Sequence, residues 1–146
     1  MHDDDEGRRL REGLGAALAR LVADDRDLLL LDANERAITG RLGMYLQELF
    51  PEWNVDCEYN RILAFVKEVT VNGEITRVVP DVIVHQRNTG NNLAVFEVKK
   101  QGNAGRDDDD RRKLRALRDQ LGYRFAGFLK LRTGPENPGV ESLEWL

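Results

Sequence analysis

Residues 78–100 read VVPDVIVHQRNTGNNLAVFEVKK. Two runs rich in Val, Ile, Leu and Phe, 78–85 and 93–100, flank the polar stretch 87–92, which predicts two short strands joined by a turn. The charges do not belong to an ordinary hairpin. Asp81 follows Pro80, and Glu97 and Lys99 interrupt the second apolar run. Strand side chains alternate between faces, so Glu97 and Lys99 share one. Two carboxylates and an ammonium in a half-buried sheet are costly unless they pair with each other or with a metal, which makes this stretch the first candidate site.

Working outward, residues 107–121 predict a helix with Leu114, Leu117 and Leu121 on a narrow apolar face. Its four leading aspartates suit the positive end of the helix dipole. It is long enough to cross over between strand 93–100 and a further strand at 124–131, so those two strands are expected to be parallel. Residues 133–139 read as a Pro/Gly turn and 140–146 as an edge strand. Upstream, Asn72–Gly73 signals a two-residue hairpin leading into 74–85, and 53–59 and 62–71 read as an antiparallel pair. Residues 32–50 carry an apolar stripe of Ala37, Ile38, Leu42, Tyr45, Leu46 and Leu49, ended by Pro51. Asp32 stands in N-cap position with Glu35 three residues on, as in a capping box. Residues 7–22 form an amphipathic helix interrupted by Gly13 and Gly15, 24–31 a short second helix, and 1–6 a frayed tail. The order is helix, strands, helix, strand: an α/β fold with a mixed sheet. A single domain is expected, with residues 1–31 as an N-terminal extension and 32–146 carrying the site.

At 146 residues, 41% hydrophobic and 33% charged, the chain has the makings of a real core. No apolar run approaches the roughly 20 residues that span a bilayer, and MHDDDEGRR lacks the pattern of a signal peptide. The lone Cys57 allows no internal disulfide and no Cys/His finger. A cytoplasmic protein without membrane association is the expectation, with Cys57 in the core. The net charge of −4 is uneven: residues 99–132 hold eleven Lys/Arg against five Asp/Glu. A basic segment on an acidic chain is compatible with a polyanionic partner.

Pro80–Asp81, fifteen intervening residues, then Glu97–Val98–Lys99 resembles the PD-(D/E)XK motif of the restriction-endonuclease-like nuclease superfamily. The resemblance implies a core of order α-β-β-β-α-β, a mixed sheet flanked by helices, into which residues 32–131 can be read. It implies Asp81 and Glu97 as ligands of Mg²⁺ (or Mn²⁺), the Val98 backbone carbonyl as a third ligand, and Lys99 beside the attacking water. It also implies an acidic residue from the first core helix, a place Glu35 can take, although the capping box explains Glu35 nearly as well. Gln101 returns to the face of Lys99 and is a candidate supporting residue.

The chemistry of the residues agrees with this reading. Phosphodiester hydrolysis calls for a cation that activates water and neutralises charge on the phosphate. Mg²⁺ takes oxygen ligands and keeps several waters, so one or two carboxylates suffice. Read without a metal, Asp81 caps a turn and Glu97 and Lys99 form an ion pair. His85 shares the face of Asp81 but lies about 13 Å along the strand. Lys100, Arg111, Arg112, Arg115 and Arg61 are the candidate nucleic-acid contacts, with Glu58, Tyr59 and Asn60 in a polar knot beside Arg61. The expected activity is that of a metal-dependent nuclease, DNA before RNA, with homodimerisation or a targeting subunit as possible complements. The alternative is a non-cleaving binding or assembly module of the same fold. No helix-turn-helix or zinc finger accompanies the motif.

Overall fold

The computed structural model describes residues 4–59, 61–62, 65–101 and 106–146, with backbone only at 61–62 and 65–66. Among these residues it contains four helices, α1 (Asp5–Asp24), α2 (Arg26–Leu30), α3 (Glu35–Leu49) and α4 (Asp107–Leu121). The strands are β1 (Asn54–Cys57), β2 (Arg61–Ile62), β3 (Phe65–Val66), β4 (Glu68–Val71), β5 (Glu74–Arg77), β6 (Val82–His85), β7 (Asn92–Lys100), β8 (Phe125–Arg132) and β9 (Gly139–Trp145). The architecture is mixed α/β. A five-stranded sheet runs β1-β6-β7-β8-β9, and β2-β3 and β4-β5 form two separate two-stranded ribbons.

The central sheet is mixed as expected. β6 and β7 are antiparallel, β7 and β8 are parallel across the α4 crossover, and β9 returns antiparallel to β8. Period-two alternation sorts the side chains into two cores. Val82, Val84, Ala94, Phe96, Val98 and Leu129 face one side, with Leu10, Leu14, Leu21, Ile38 and Leu42 of α1 and α3. Ile83, Val95, Ala126 and Phe128 face the other, with Leu114 and Leu117 of α4 and Val69 of β4. Glu97 and Lys99, in step with Val95, point to the α4 side. No helix among the described residues is long and apolar enough to cross a membrane.

Several local expectations are corrected. The strand of residues 62–71 is divided into β2, β3 and β4, and β1 pairs with β6 rather than with it. The fully buried β6 needs a ladder partner on each edge, and β1 supplies the second. Residues 78–81 leave the sheet, since Pro80 has no N–H to give a ladder. The Asn72–Gly73 turn forms as read, with φ of 52° and 79°. Residues 4–6 are not a frayed tail: Asp4 caps α1, accepting from the Gly7 N–H at 2.7 Å. Gly13 admits the buried Phe50 ring, which lies 2.4 Å from where a Cβ would stand. Cys57 is exposed at the sheet edge rather than in the core, its thiol donating to the Thr39 carbonyl at 3.4 Å.

The start of α3 also differs, and this bears on the site. Asp32 has φ 52°, in the left-handed region, and lies outside the helix. Asn34 is the N-cap, its Oδ1 accepting from the Ala37 N–H at 2.8 Å. Glu35 is therefore the first helical residue, not the third, and a capping-box role is closed to it.

Candidate metal and phosphodiester site

The site is built on an open sheet edge. β6 begins at Val82, paired with Phe96, so β7 continues past it with no strand on that side among the described residues. The N–H groups of Val98 and Lys100 turn toward the gap. Two carboxylates meet them: Asp81 Oδ2 accepts from Val98 N–H at 2.7 Å, and Glu35 Oε1 accepts from Lys100 N–H at 3.3 Å. Within one strand residue the N–H and C=O point to the same side, so the Val98 carbonyl faces this gap as well.

Asp81 and Glu97 are close enough for each to act on the other's charge. Burial pushes the Asp81 carboxyl above its ordinary range; the Val98 amide opposes the shift, and the charges of Glu35 and Glu58 add to it. Burial also drives Glu97 upward, reinforced by Asp81, Asp110 and Glu35 and opposed by Lys113. Two carboxylates forced together out of water without a cation must behave this way.

Lys99 is held on the α4 side. Its Nζ lies 2.8 Å from Asp110 Oδ2 and 3.2 Å from Asp107 Oδ1, and Lys130 closes on the other oxygen of Asp107. Burial alone lowers the Lys99 ammonium, but the hydrogen bond to Asp110 and the ion pairs with Asp110 and Asp107 outweigh it and raise its pKa above the ordinary lysine value. Lys99 is therefore a firm cation, which favours charge stabilisation over proton abstraction.

No protein-family model matches this chain, and no curated protein or solved structure does. The site thus stands on its own geometry. Among the described residues, no three His, Cys, Asp or Glu side chains gather closely enough to enclose an ion by themselves. The donor set is narrower: the half-buried Asp81/Glu97 pair, the Val98 carbonyl, and Glu35 behind them on the neighbouring amide. This set fits Mg²⁺, whose remaining positions water fills. It does not fit zinc, which favours nitrogen and sulfur ligands.

The other candidates separate. His85 lies outside the site; its Nε2 is 2.7 Å from Asp56 Oδ2, its ring is 4.9 Å from that of Tyr59, and Arg87 closes on the same Asp56. Gln101 is exposed, its N–H donating to the Leu131 carbonyl at 2.7 Å. Lys100 turns to the opposite face and meets Asp32 at 3.1 Å. Arg111 pairs with Glu144 and Asp108, and Arg112 with Asp109. Arg115 is exposed. Of the polar knot, Glu58 lies near Asp81 and pairs with Arg36, while Asn60 and the Arg61 side chain fall outside the described residues.

Two residues of the site are not singled out by the sequence reading, which takes Asp107 and Asp110 only as acids suited to the helix dipole; their i,i+3 spacing at the head of the helix that follows Glu97–Val98–Lys99 puts both on the face that meets Lys99. Lys113, one of the helix's basic residues, lies one further turn along. It lines a cleft of about 80 Å³ with Arg77, Val78, Val79, Pro80, Glu97 and Leu117.

Proposed function

We propose that this chain is a metal-dependent nuclease of the restriction-endonuclease-like type that hydrolyses phosphodiester bonds in nucleic acid, DNA in the first instance. The observation that carries the proposal is the half-buried Asp81/Glu97 pair at the open edge of β7, where burial and like charge push both carboxyls above their ordinary range. The element order α3-β1-β6-β7-α4-β8, with β7 and β8 parallel, supports it, since it is the order the motif implies, interrupted by the ribbons β2-β3 and β4-β5.

Asp81, Glu97 and the Val98 carbonyl would hold Mg²⁺ or Mn²⁺, with Glu35 completing the acidic surround. When bound, the ion supplies a water of lowered pKa and positive charge at the phosphate. The residues of the chain do the remaining work. Asp81 is oriented by the Val98 amide. Lys99, kept charged by Asp107 and Asp110, stabilises negative charge on the phosphate and orients the attacking water. Glu35, anchored on the Lys100 amide, adds negative potential that favours a divalent over a monovalent ion.

A second reading, a non-cleaving binding or assembly module, is favoured by the two ion pairs that occupy Lys99. The two readings separate in one assay: cleavage of plasmid, single-stranded DNA and RNA with Mg²⁺, Mn²⁺ or EDTA, beside Asp81→Ala, Glu97→Ala and Lys99→Ala. Metal-dependent cleavage lost in the variants is the expected result. Equal behaviour of wild type and Glu97→Ala on every substrate would sink the nuclease reading.

A further inference from the structure

One face of α4 is a wall. Arg106, Asp110, Lys113 and Leu117 recur at spacings of four, three and four, and so line up along the helix. Opposite them stand β5 and residues 78–80. The space between is divided in two: the cleft of about 80 Å³ that ends on Glu97, and a wider one of about 280 Å³ lined by Val71, Asn72, Glu74, Thr76, Arg106 and Asp109, with Asp110 and Lys113. Lys113 lines both, and so stands between the cleft at the β4-β5 turn and the one at the Glu97 carboxylate.

The charges along the path are unequal in their freedom. Asp110 is held by Lys99 and Asp109 by Arg112. Among the described residues Arg106 and Lys113 are exposed and form no ion pair within 4 Å, although the charge of Lys113 acts on Glu97, whereas Lys99, Lys100, Lys130, Arg111 and Arg112 are all paired. Arg77, beside the inner cleft, is largely exposed and meets Glu68 only at 3.7 Å. Cations left without partners along a concave path are placed for an anion that moves through it.

The far wall does not swing freely. The Thr70 N–H donates to Gln120 Oε1 at 2.7 Å and Gln120 Nε2 donates back to the Thr70 carbonyl at 2.8 Å, while Val69 is buried against α4. The β4-β5 ribbon is thus fastened to the helix beside the path. The enclosed room is about 80 Å³ in the inner cleft and about 280 Å³ in the outer one, space for the phosphate and sugar of one strand at a time and not for both strands of a duplex.

We propose that the cleft between β5 and α4 is the track of a single nucleic-acid strand, with Lys113 and Arg106 holding successive phosphates and delivering the backbone to Asp81 and Glu97. The substrate is therefore a single strand, or an unpaired end or flap of a duplex. Val78, Val79 and Pro80 form the apolar side of the inner cleft, where sugar and base can rest, and Val79 is 52% exposed. The proposal rests on the nuclease reading for its direction, toward Glu97, but not for its binding chemistry.

The test is binding of a fluorescein-labelled oligothymidylate of about 12 nucleotides, and of a labelled duplex of equal length, to the full chain in EDTA, followed by anisotropy across a salt series. The single strand is expected to bind at least about tenfold more tightly than the duplex. Lys113→Ala and Arg106→Ala should each weaken single-strand binding by about three- to tenfold and reduce the slope of log K against log salt by about 0.7. Lys113→Arg should restore both, and Arg8→Ala on α1 should change neither. An unchanged slope in Lys113→Ala, or a duplex bound as tightly as the single strand, overturns the proposal. Since no cleavage occurs in EDTA, a chain that binds single strands through Lys113 yet cuts nothing with Mg²⁺ keeps the track and loses the nuclease reading. The reverse pattern keeps cleavage and loses the track.

Discussion

At one end of β6, His85 and Arg87 close on Asp56; at the other, Asp81 faces Glu97, like charge against like charge. Both clusters put charge into a buried sheet, and they resolve it in opposite ways. Burial raises Asp56, but Arg87 and His85 outweigh it and leave its carboxyl below the ordinary range. Burial likewise favours neutral His85, against the pull of Asp56. That cluster is closed: its charges answer one another, as a structural network should. In the Asp81/Glu97 cluster Lys99 is engaged by Asp107 and Asp110, and the charge of Lys113 opposes the rise of Glu97 without cancelling it, so the carboxylates still press on each other. A perturbed carboxylate alone does not mark a site; the contrast within one sheet is what the proposed metal site would explain, a cation there supplying the sign that Arg87 and His85 supply at Asp56.

The largest effect that tests this contrast is on catalysis. Glu97→Gln and Asp81→Asn should each lower metal-dependent cleavage by at least about 10³-fold, near 4 kcal/mol of barrier, while Asp56→Ala leaves cleavage per folded molecule within a few-fold. Initial rates on the best substrate measure both.

Stability should respond the other way round. Asp56→Ala strands a buried histidine and an arginine, and breaking such a network costs about 3 kcal/mol, or a fall in Tm of about 8 °C. Glu97→Gln should hold or raise the Tm of the metal-free protein above pH 7, because it removes a repulsion. Thermal melts in EDTA decide, and a Tm loss for Glu97→Gln equal to that for Asp56→Ala would erase the distinction.

Next in size is a pH dependence with two arms of opposite sign. The folded pKa values of Asp81 and Glu97 are raised, so the stability they contribute is complete below the ordinary carboxylate pKa of about 4 and is lost as pH rises through the higher folded values. Mg²⁺ binds the folded state and should cancel that loss. Lys67, 1% exposed near Tyr59 and Tyr123, has its pKa lowered by burial from 10.5 to about 8. A depressed folded pKa works in the opposite sense: stability of order 1–3 kcal/mol should be gained between pH 8 and 10.5 and lost as pH falls through 8. Glu97→Gln should flatten the first arm and Lys67→Met the second, read as Tm against pH with and without Mg²⁺.

The smallest effect is expected at the paired surface cations. Arg112→Ala, which breaks an exposed i,i+3 pair with Asp109, should change stability by less than about 0.5 kcal/mol and leave cleavage nearly intact. A tenfold loss of cleavage there would move the nucleic-acid contact from the inner face of α4 to its outer face.

Much of this contrast was legible beforehand, and the legible parts have local causes. Asn72–Gly73 turns as its backbone preferences require, and Ile38, Leu42, Tyr45 and Leu46 bury one stripe of α3 because helical spacing aligns them. Glu97 and Lys99 share a face because strand side chains alternate. The start of α3 misled because Asp32 and Asn34 both have cap chemistry, and the choice fell to Asn34 once Asp32 took a positive φ and turned toward Lys100. The strand of residues 62–71 misled because β propensity does not say which edge a segment will join. Lys99 misled because its partners sit on a helix that the sequence shows only as acidic at its start.

The sequence by itself determined the period and sign of each element: apolar alternation in β6, β7 and β8, acid at the head of α4, and a Pro80–Asp81 break followed by Glu97–Val98–Lys99. These follow from chemistry within a few residues, which a chain carries wherever it goes. Only the tertiary structure decided that β7 outruns β6, that Glu35 reaches an amide 65 residues away and Asp81 one 17 away, and that Lys99 turns to Asp107 and Asp110. Those outcomes depend on which strand leaves the sheet and which helix lies over the gap. They are settled by burial of the whole core and by the need to satisfy each buried N–H, not by any property of Asp81 or Glu97 alone.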